Sequence, residues 1–527
     1  MKSNTRVGKR TWRRFSCDEN RDAATWYCGL GVQMAHRQSF EGRGLNWRAV
    51  WTRGGKTLPP FLVVLACASH STAPPSGGGG PPGAVDWTRF GWDAGRSSAP
   101  PISAGITAAN VASLVRQQVA IDGTVDASAI YLRGVQVNGS THDVFFLTTT
   151  YGKTLAIDAT NAVVLWRYTP PNYASWAGSA QITTATPVAD PNRAFVYAAA
   201  PDGAIRKLAV ADGSVIWSTA ITLLPGREKI ASALNYFNGR VIATTGGYIG
   251  DAPPYQGHVA ILDGASGNLL SVWNALCSNR TGLIDPTSCS QSGAAMWGRT
   301  GAVIDSSSGN IFVATGNGLW DGGANWGDAA LELDANATRL IGNYTPTNTG
   351  ALDASDTDLG STSPVLLGGG FIAQGGKDGL IRLLNWGAMG GATPHLGGEG
   401  QVVSTPTGSG LFSAPAVLRS ATDTWVFAAD GGGTAAWRLS NGQLQQMWRN
   451  QNPGTSPVVA DTLLFVYDPN GGGLRVYRSD TGAQVANLAC GGGHWNSPIV
   501  MDGRIALPEG NANGHASSGV LDIWRLP

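Results

Sequence analysis

The chain has 527 residues, with 36 Lys and Arg against 35 Asp and Glu. That balance offers no electrostatic case for binding nucleic acid or an anionic membrane surface. The length exceeds one ordinary domain unless the architecture repeats, and 13% charged residues with 73 Gly suit a β-rich fold with tight turns. Six Cys are present and none forms a CxxC or CxxCH motif, which excludes a c-type haem attachment site.

Residues 1–57 are rich in Arg and Lys and carry no sustained periodicity. From Arg53 to Cys67 the sequence RGGKTLPPFLVVLAC has a basic lead, an apolar run and a small residue before Cys. This is the pattern of a bacterial lipoprotein signal, with Cys67 as the lipidated residue. The run Leu58–Ala66 is too short to cross a bilayer. Its internal position implies a translation start downstream of Met1. A Pro/Gly/Ser linker follows over 68–85. The expectation is an exported protein in the periplasm or cell envelope, touching a membrane only through a lipid anchor at Cys67.

From Asp86 to Pro527 an apolar strand, a small or polar turn and a second apolar stretch recur eight times. Clear copies are LAIDATNAVVLW (Leu155–Trp166), KLAVADGSVIW (Lys207–Trp217), VAILDGASGNLL (Val259–Leu270) and AAWRLSNGQLQQMW (Ala435–Trp448). A strand–turn–strand unit cannot bury its apolar face alone and must stack on copies of itself. The spacing is that of four-stranded propeller blades. Entries of the form small–Pro–apolar, such as ATPVA (Ala185–Ala189), TSPVVA (Thr455–Ala460) and NSPIVM (Asn496–Met501), read as inner strands, because Pro is tolerated at a strand's first residue. The predicted fold is all-β: an eight-bladed β-propeller over 86–527. Its last repeat, VLDIWRLP (Val520–Pro527), has no following strand. The first and last segments should therefore share one blade, with Trp87–Trp92 as the candidate early strand. The 19 Trp should mostly wedge between blades. Cys277 and Cys289, twelve apart in a Pro- and Gly-bearing loop, are a candidate disulfide in an exported protein.

The repeat, in idealised form small-x-Asp-x-x-Thr-Gly-x-x-x-Trp, resembles that of pyrroloquinoline-quinone (PQQ) dehydrogenases and of their non-catalytic relatives, including an outer-membrane assembly lipoprotein. Ala294–Asn385 more narrowly resembles the quinoprotein alcohol dehydrogenases, the polyvinyl-alcohol dehydrogenase branch most closely. The resemblance implies that Trp297, in AMWGRTGAVID, is the floor under the quinone. It implies that Asn317, in VATGN, helps hold a calcium ion. In DTDLGSTSPVLL it points to Asp356 as the catalytic base and calcium contact, with Asp358 beside it at the cofactor. In GGKDGLIRLLN it points to Lys377 as the contact to the quinone carbonyls. The chemistry fits those residue types. A flat quinone buries well against an indole, a carboxylate takes the alcohol proton, and a cation stabilises charge developing on the quinone oxygen. Calcium needs oxygen ligands, yet the region expected to supply a Glu, Gly246–Asp263, has none, and Asp251 is the nearest carboxylate.

Simpler readings stand beside these. Trp297 would be an inter-blade wedge, Asn317 a left-handed turn, Asp356 and Asp358 solvated turn residues, and Lys377 a hairpin tip. His494, Trp495 and Asn496 precede an inner-strand entry and are expected near the channel mouth, with a hydrogen-bonded structural histidine as the plainer role for His494. The functional expectation is an oxidoreductase acting on a small or polymeric alcohol with PQQ and calcium, passing electrons to a separate acceptor. The alternative is a non-catalytic propeller scaffold that binds envelope proteins or polymers.

Overall fold

Short β-branched and aromatic runs punctuated by tight Gly, Asn and Asp turns favour hairpins, and consecutive hairpins build meandering sheets. The computed structural model describes residues 85–527, so the leader and Cys67 lie outside the described residues. The described chain forms eight four-stranded antiparallel sheets, the blades of an all-β propeller. Their inner strands are Ile130–Val137, Val188–Ala189, Asn235–Phe237, Val303–Ile304, Val365–Gly368, Ala416–Arg419, Val458–Ala460 and Ile499–Met501, for blades 1 to 8 in order. The small–Pro–apolar entries are inner strands, as their sequence predicts. Among the described residues the one α-helix is the six-residue Thr349–Ala354.

The recurrent strand–turn–strand unit supplies the third and fourth strands of blades 1 to 4, 6 and 7; in blade 5 a longer connection separates Leu380–Asn385 from Gln401–Ser404. The unit's Gly and Trp are two halves of one joint. Trp166 in blade 1 donates its indole N–H to Val210 O of blade 2 at 2.9 Å. A Cβ on Gly213 of that neighbouring turn would lie 2.6 Å from the Trp166 ring. Trp217 against Gly267, and Trp448 against Gly482, repeat the arrangement, each Gly having positive φ. The turn glycine thus serves both the left-handed backbone and the close approach of the preceding blade's indole. This explains why Gly and Trp recur together in the repeat.

The ring closes within blade 8, but not with Trp87–Trp92. Val115–Ile121 pairs antiparallel with Gly519–Arg525 and becomes the blade's outermost strand. The earlier segment is drawn elsewhere because its aromatics are buried, Trp87 at 1% exposure and Phe90 at 3%. It runs across the end of the channel where inner strands turn outward, and its backbone bonds to one blade after another. Trp87 exchanges hydrogen bonds with Tyr131, Thr88 O accepts from Ala189, and Ala94 O accepts from Ile304. Ser97 O accepts from Val417, Ser98 O from Val459, and Ala104 O from Gly503. Arg96, itself buried, donates to Leu234 O at 3.0 Å and to Phe90 O at 2.6 Å. Phe90 packs on Ala233 and Ala414, each just before the inner strand of its blade, so the segment reaches along the axis toward the strand entries.

Cys277 and Cys289 form a disulfide. The loop it closes is short, so the chain-entropy contribution is about 3 kcal/mol. A Cys277→Ser/Cys289→Ser double variant is expected to lose roughly that much in urea unfolding. An unchanged midpoint would show that the loop is held by its other contacts, such as Cys277 N–H to Asn325 Oδ1.

A convergent charged and aromatic site at the open end of the channel

Two sets of loops share the opposite face: those entering the inner strands and those joining second to third strands. Trp297 precedes the inner strand of blade 4, and Asp356 and Asp358 precede that of blade 5. Asn317 follows the second strand Ile311–Ala314, and Lys377 follows Phe371–Gly375. The four segments of Ala294–Asn385 therefore meet in space. The Trp297 indole N–H donates to Asp358 Oδ2 at 2.9 Å. The Lys377 ammonium lies 2.6 Å from Asp358 Oδ1 and 2.6 Å from Asp356 Oδ1, and 5.2 Å from the Trp297 ring centre. Asn317 Nδ2 donates to Asp356 Oδ1 at 2.9 Å. The contact to Asp358 Oδ1 is an ion pair without good hydrogen-bond direction, since that buried oxygen has no hydrogen-bond partner.

Local backbone explains the fit. Gly316 stands before Asn317 in VATGN, and a Cβ there would lie 2.7 Å from Asp358 Oδ2. Gly360 packs on the Gly316 backbone just as closely, with a Cβ 2.4 Å from its nitrogen. Gly298 leaves no room for a side chain against Thr362 and Ser363. Each glycine permits an approach that carries a charged or aromatic neighbour inward. The simpler readings fail for Trp297, Asn317 and Asp358, whereas Asp356 is the solvated turn residue that its simpler reading describes. The Trp297 indole bonds to a carboxylate, Asn317 is not among the left-handed residues, and Asp358 is 2% exposed.

The two carboxylates are unlike. Asp356 adopts a left-handed φ of 52° and its side chain is 67% exposed. Asp358 is buried, and burial raises its pKa even though Lys377 and Trp297 pull it back. Burial works against the charged form of Lys377, but the two carboxylates outweigh it and raise its pKa. Asp251 is not in this group: its Oδ1 accepts from the Tyr255 hydroxyl at 2.9 Å.

Sequence reasoning missed Asp328. It is fully buried, its Oδ1 accepts from the Leu359 N–H at 3.0 Å, and its Oδ2 has no partner. Burial pushes its pKa to about 7, with Asp358 adding to the rise. The unfolded carboxyl loses its proton first, near the ordinary 3.8. This group's contribution is therefore full below about pH 4 and is lost as pH rises through 7. Asp328→Asn keeps the acceptor for Leu359 and removes the buried charge. It is expected to stabilise the protein by on the order of 2–4 kcal/mol at pH 8 and little at pH 4. Urea titrations at both pH values check this; equal effects at both would contradict it.

A run of side chains frames the same mouth. Trp297 packs on Phe412 (ring centres 5.9 Å apart), Phe412 on Trp495 (5.2 Å) and Trp495 on His494 (4.2 Å). His494 Nδ1 bonds to Asp126 Oδ2 at 2.7 Å, as expected of a hydrogen-bonded histidine at the mouth. Arg299 then donates to Asp126 O at 2.8 Å and Thr184 O at 3.2 Å, reaching blades 1 and 2 from blade 4. Burial disfavours ionisation of Asp126, but His494, Arg299 and the Ala512 N–H outweigh it and keep its pKa low. Phe412, Asp126 and Arg299 carried no sequence signal, because only closure of the ring brings their segments together.

Comparison with known proteins agrees with this architecture. Residues 124–318 match the PQQ_2 family, described as outer membrane protein assembly factor BamB. No curated protein sequence matches the chain. Among solved structures, the quinohemoprotein alcohol dehydrogenase from Comamonas testosteroni aligns with TM-score 0.61 at 16% identity, over 84% of this chain and 80% of that one. The quinohemoprotein alcohol dehydrogenase ADHIIG from Pseudomonas putida aligns with TM-score 0.63 at 14% identity, over the same shares. A europium-containing methanol dehydrogenase aligns with TM-score 0.61 at 14% identity, over 84% of this chain and 98% of that one. The chain is thus an eight-bladed propeller that carries the PQQ_2 repeat over residues 124–318 and resembles the quinoprotein alcohol dehydrogenases in fold.

Proposed function

We propose that the protein is an exported quinoprotein-like oxidoreductase that oxidises an alcohol, with PQQ as cofactor. The observation that carries this reading is the meeting of Trp297, Asp358 and Lys377 within hydrogen-bond or ion-pair distance at one channel end. The residues fit such a cofactor. The Trp297 indole is pinned edge-on by Asp358 and flanked by Phe412, offering an aromatic surface for a flat ring. Bound there, the quinone would accept the hydride equivalent of the alcohol. Asp358 is the base in this reading rather than the more exposed Asp356, because its buried, raised carboxyl is better matched to taking a hydroxyl proton. Lys377 holds Asp358 in its anionic form before the transfer and places positive charge beside the cofactor's oxygens. Without a CxxCH motif the chain would deliver electrons to a separate acceptor.

Calcium does not fit as readily. A calcium shell takes about six to eight oxygens. Asn317 Oδ1 is buried without a partner and is suitable, but the space between Asp356 and Asp358 is already bridged by the Lys377 ammonium. Among the described residues no three His, Cys, Asp or Glu side chains converge as a metal site. No step here is routed through a metal.

Dye-linked oxidation of alcohols by the purified protein supplied with PQQ tests the proposal. PQQ-dependent turnover is expected, and none with any alcohol would refute it. The scaffold reading then gains, favoured by the description of the family matched over residues 124–318.

A further inference from the structure

The second half of the mouth has more positive charge than its own contacts use. Arg299 is 6% exposed, its Nη2 is spent on Asp126 O and Thr184 O, and its Nε is buried with no partner. Lys229 is half-buried nearby, since its backbone partner Gly246 packs against Ala295 and Met296 of the segment that carries Arg299. Its ammonium has no hydrogen bond or ion pair among the described residues. Its position is fixed by its backbone, which exchanges hydrogen bonds with Gly246. The one carboxylate in this group, Asp126, is already committed to His494 Nδ1 and to the N–H groups of Trp495 and Ala512. Two cations thus face one carboxylate that is fully satisfied elsewhere. Arg299 Nε is buried without an acceptor and the half-buried Lys229 ammonium has no partner, so an anionic ligand is the natural complement.

The same segment carries both halves of the mouth. Trp297 and Arg299 are separated only by Gly298. Trp297 reaches toward blades 5 and 6, and Arg299 toward blades 1 and 2. A ligand beside this segment would meet an aromatic wall at one side and paired cations at the other.

We infer that Arg299 and Lys229 form the carboxylate-binding half of a site for a flat aromatic polycarboxylate, with Trp297, Phe412 and Trp495 taking the ring. PQQ, a planar tricyclic tricarboxylate, belongs to that class. The inference therefore deepens the cofactor reading, although the anion site is argued from these side chains alone.

The test is quenching of tryptophan fluorescence in the intact protein by two probes, trimesate (a flat benzenetricarboxylate with no quinone) and PQQ. Wild type is compared with Lys229→Gln, which breaks no contact and should fold, and with Arg299→Lys, checked for folding by circular dichroism. Saturable quenching by either probe that weakens roughly ten- to hundredfold in Lys229→Gln supports the inference. So does weakening of the wild-type affinity with added salt. If trimesate behaves this way and PQQ does not bind, the anion site stands and the cofactor reading falls. If PQQ binds wild type and Lys229→Gln equally well, the cofactor reading stands and this assignment falls. No quenching of wild type by either probe overturns it.

Discussion

Asp358→Asn is expected to lower kcat for PQQ-dependent alcohol oxidation by about 10²–10⁴-fold, the usual worth of a positioned general base. The amide oxygen can still accept from the Trp297 indole, so the backbone of the loop and the floor of the site should persist. What disappears is the proton acceptor and the negative charge facing Lys377. Asp356→Asn should cost far less, because that side chain is mostly in water. The wild-type rate should also fall with decreasing pH, with an inflection above the ordinary Asp value, because the base must be ionised and burial raises its pKa. Steady-state kinetics on both variants decide the matter. An Asp358→Asn enzyme within a few-fold of wild type, with Asp356→Asn inactive, would transfer the role to Asp356.

A chain shortened to begin at Asp122 is expected to lose cooperative folding, whereas one beginning at Val85 keeps every contact described above. The shorter chain lacks Val115–Ile121, which pairs along the whole of Gly519–Arg525. Blade 8 would be left with three strands and a bare edge. It also lacks the segment that ties blade to blade through backbone bonds and places Phe90 in the axis. Phe90 alone, truncated to Ala, should cost about 3–5 kcal/mol. Arg96→Ala would strip hydrogen bonds from buried carbonyls of Phe90 and Leu234. Urea unfolding followed by circular dichroism reads these effects. A sharp transition at the wild-type midpoint in the Asp122 chain would show that ring closure contributes little.

The repeat was legible because its physics is local. Turn glycines, inner-strand prolines and alternating strands each declare themselves within a dozen residues, as in Lys207–Trp217 and Asn496–Met501. The closing strand was misplaced because Trp87–Trp92 is the more apolar candidate. VRQQVAI (Val115–Ile121) alternates weakly, and only Val119 and Ile121 are buried, as suits an outermost strand. The four site segments were legible as a pattern, but the unequal burial of Asp356 and Asp358 was not, since it arises only when Gly316 and Gly360 let the loop seat. Arg299, Asp126 and Asp328 lie in unremarkable local sequence. Their significance depends on partners up to 386 residues away, as for Asp126 and Ala512.

The central claim is that the channel mouth, from Trp297 to Lys377, is a quinone site assembled by this chain's own residues. The most direct measurement is a titration of the purified protein with PQQ followed by absorbance, without added calcium, for wild type and Lys377→Ala. Saturable binding at one equivalent in wild type, clearly weakened in Lys377→Ala, is the predicted result. No saturable change in wild type, or identical curves for the two proteins, would contradict it.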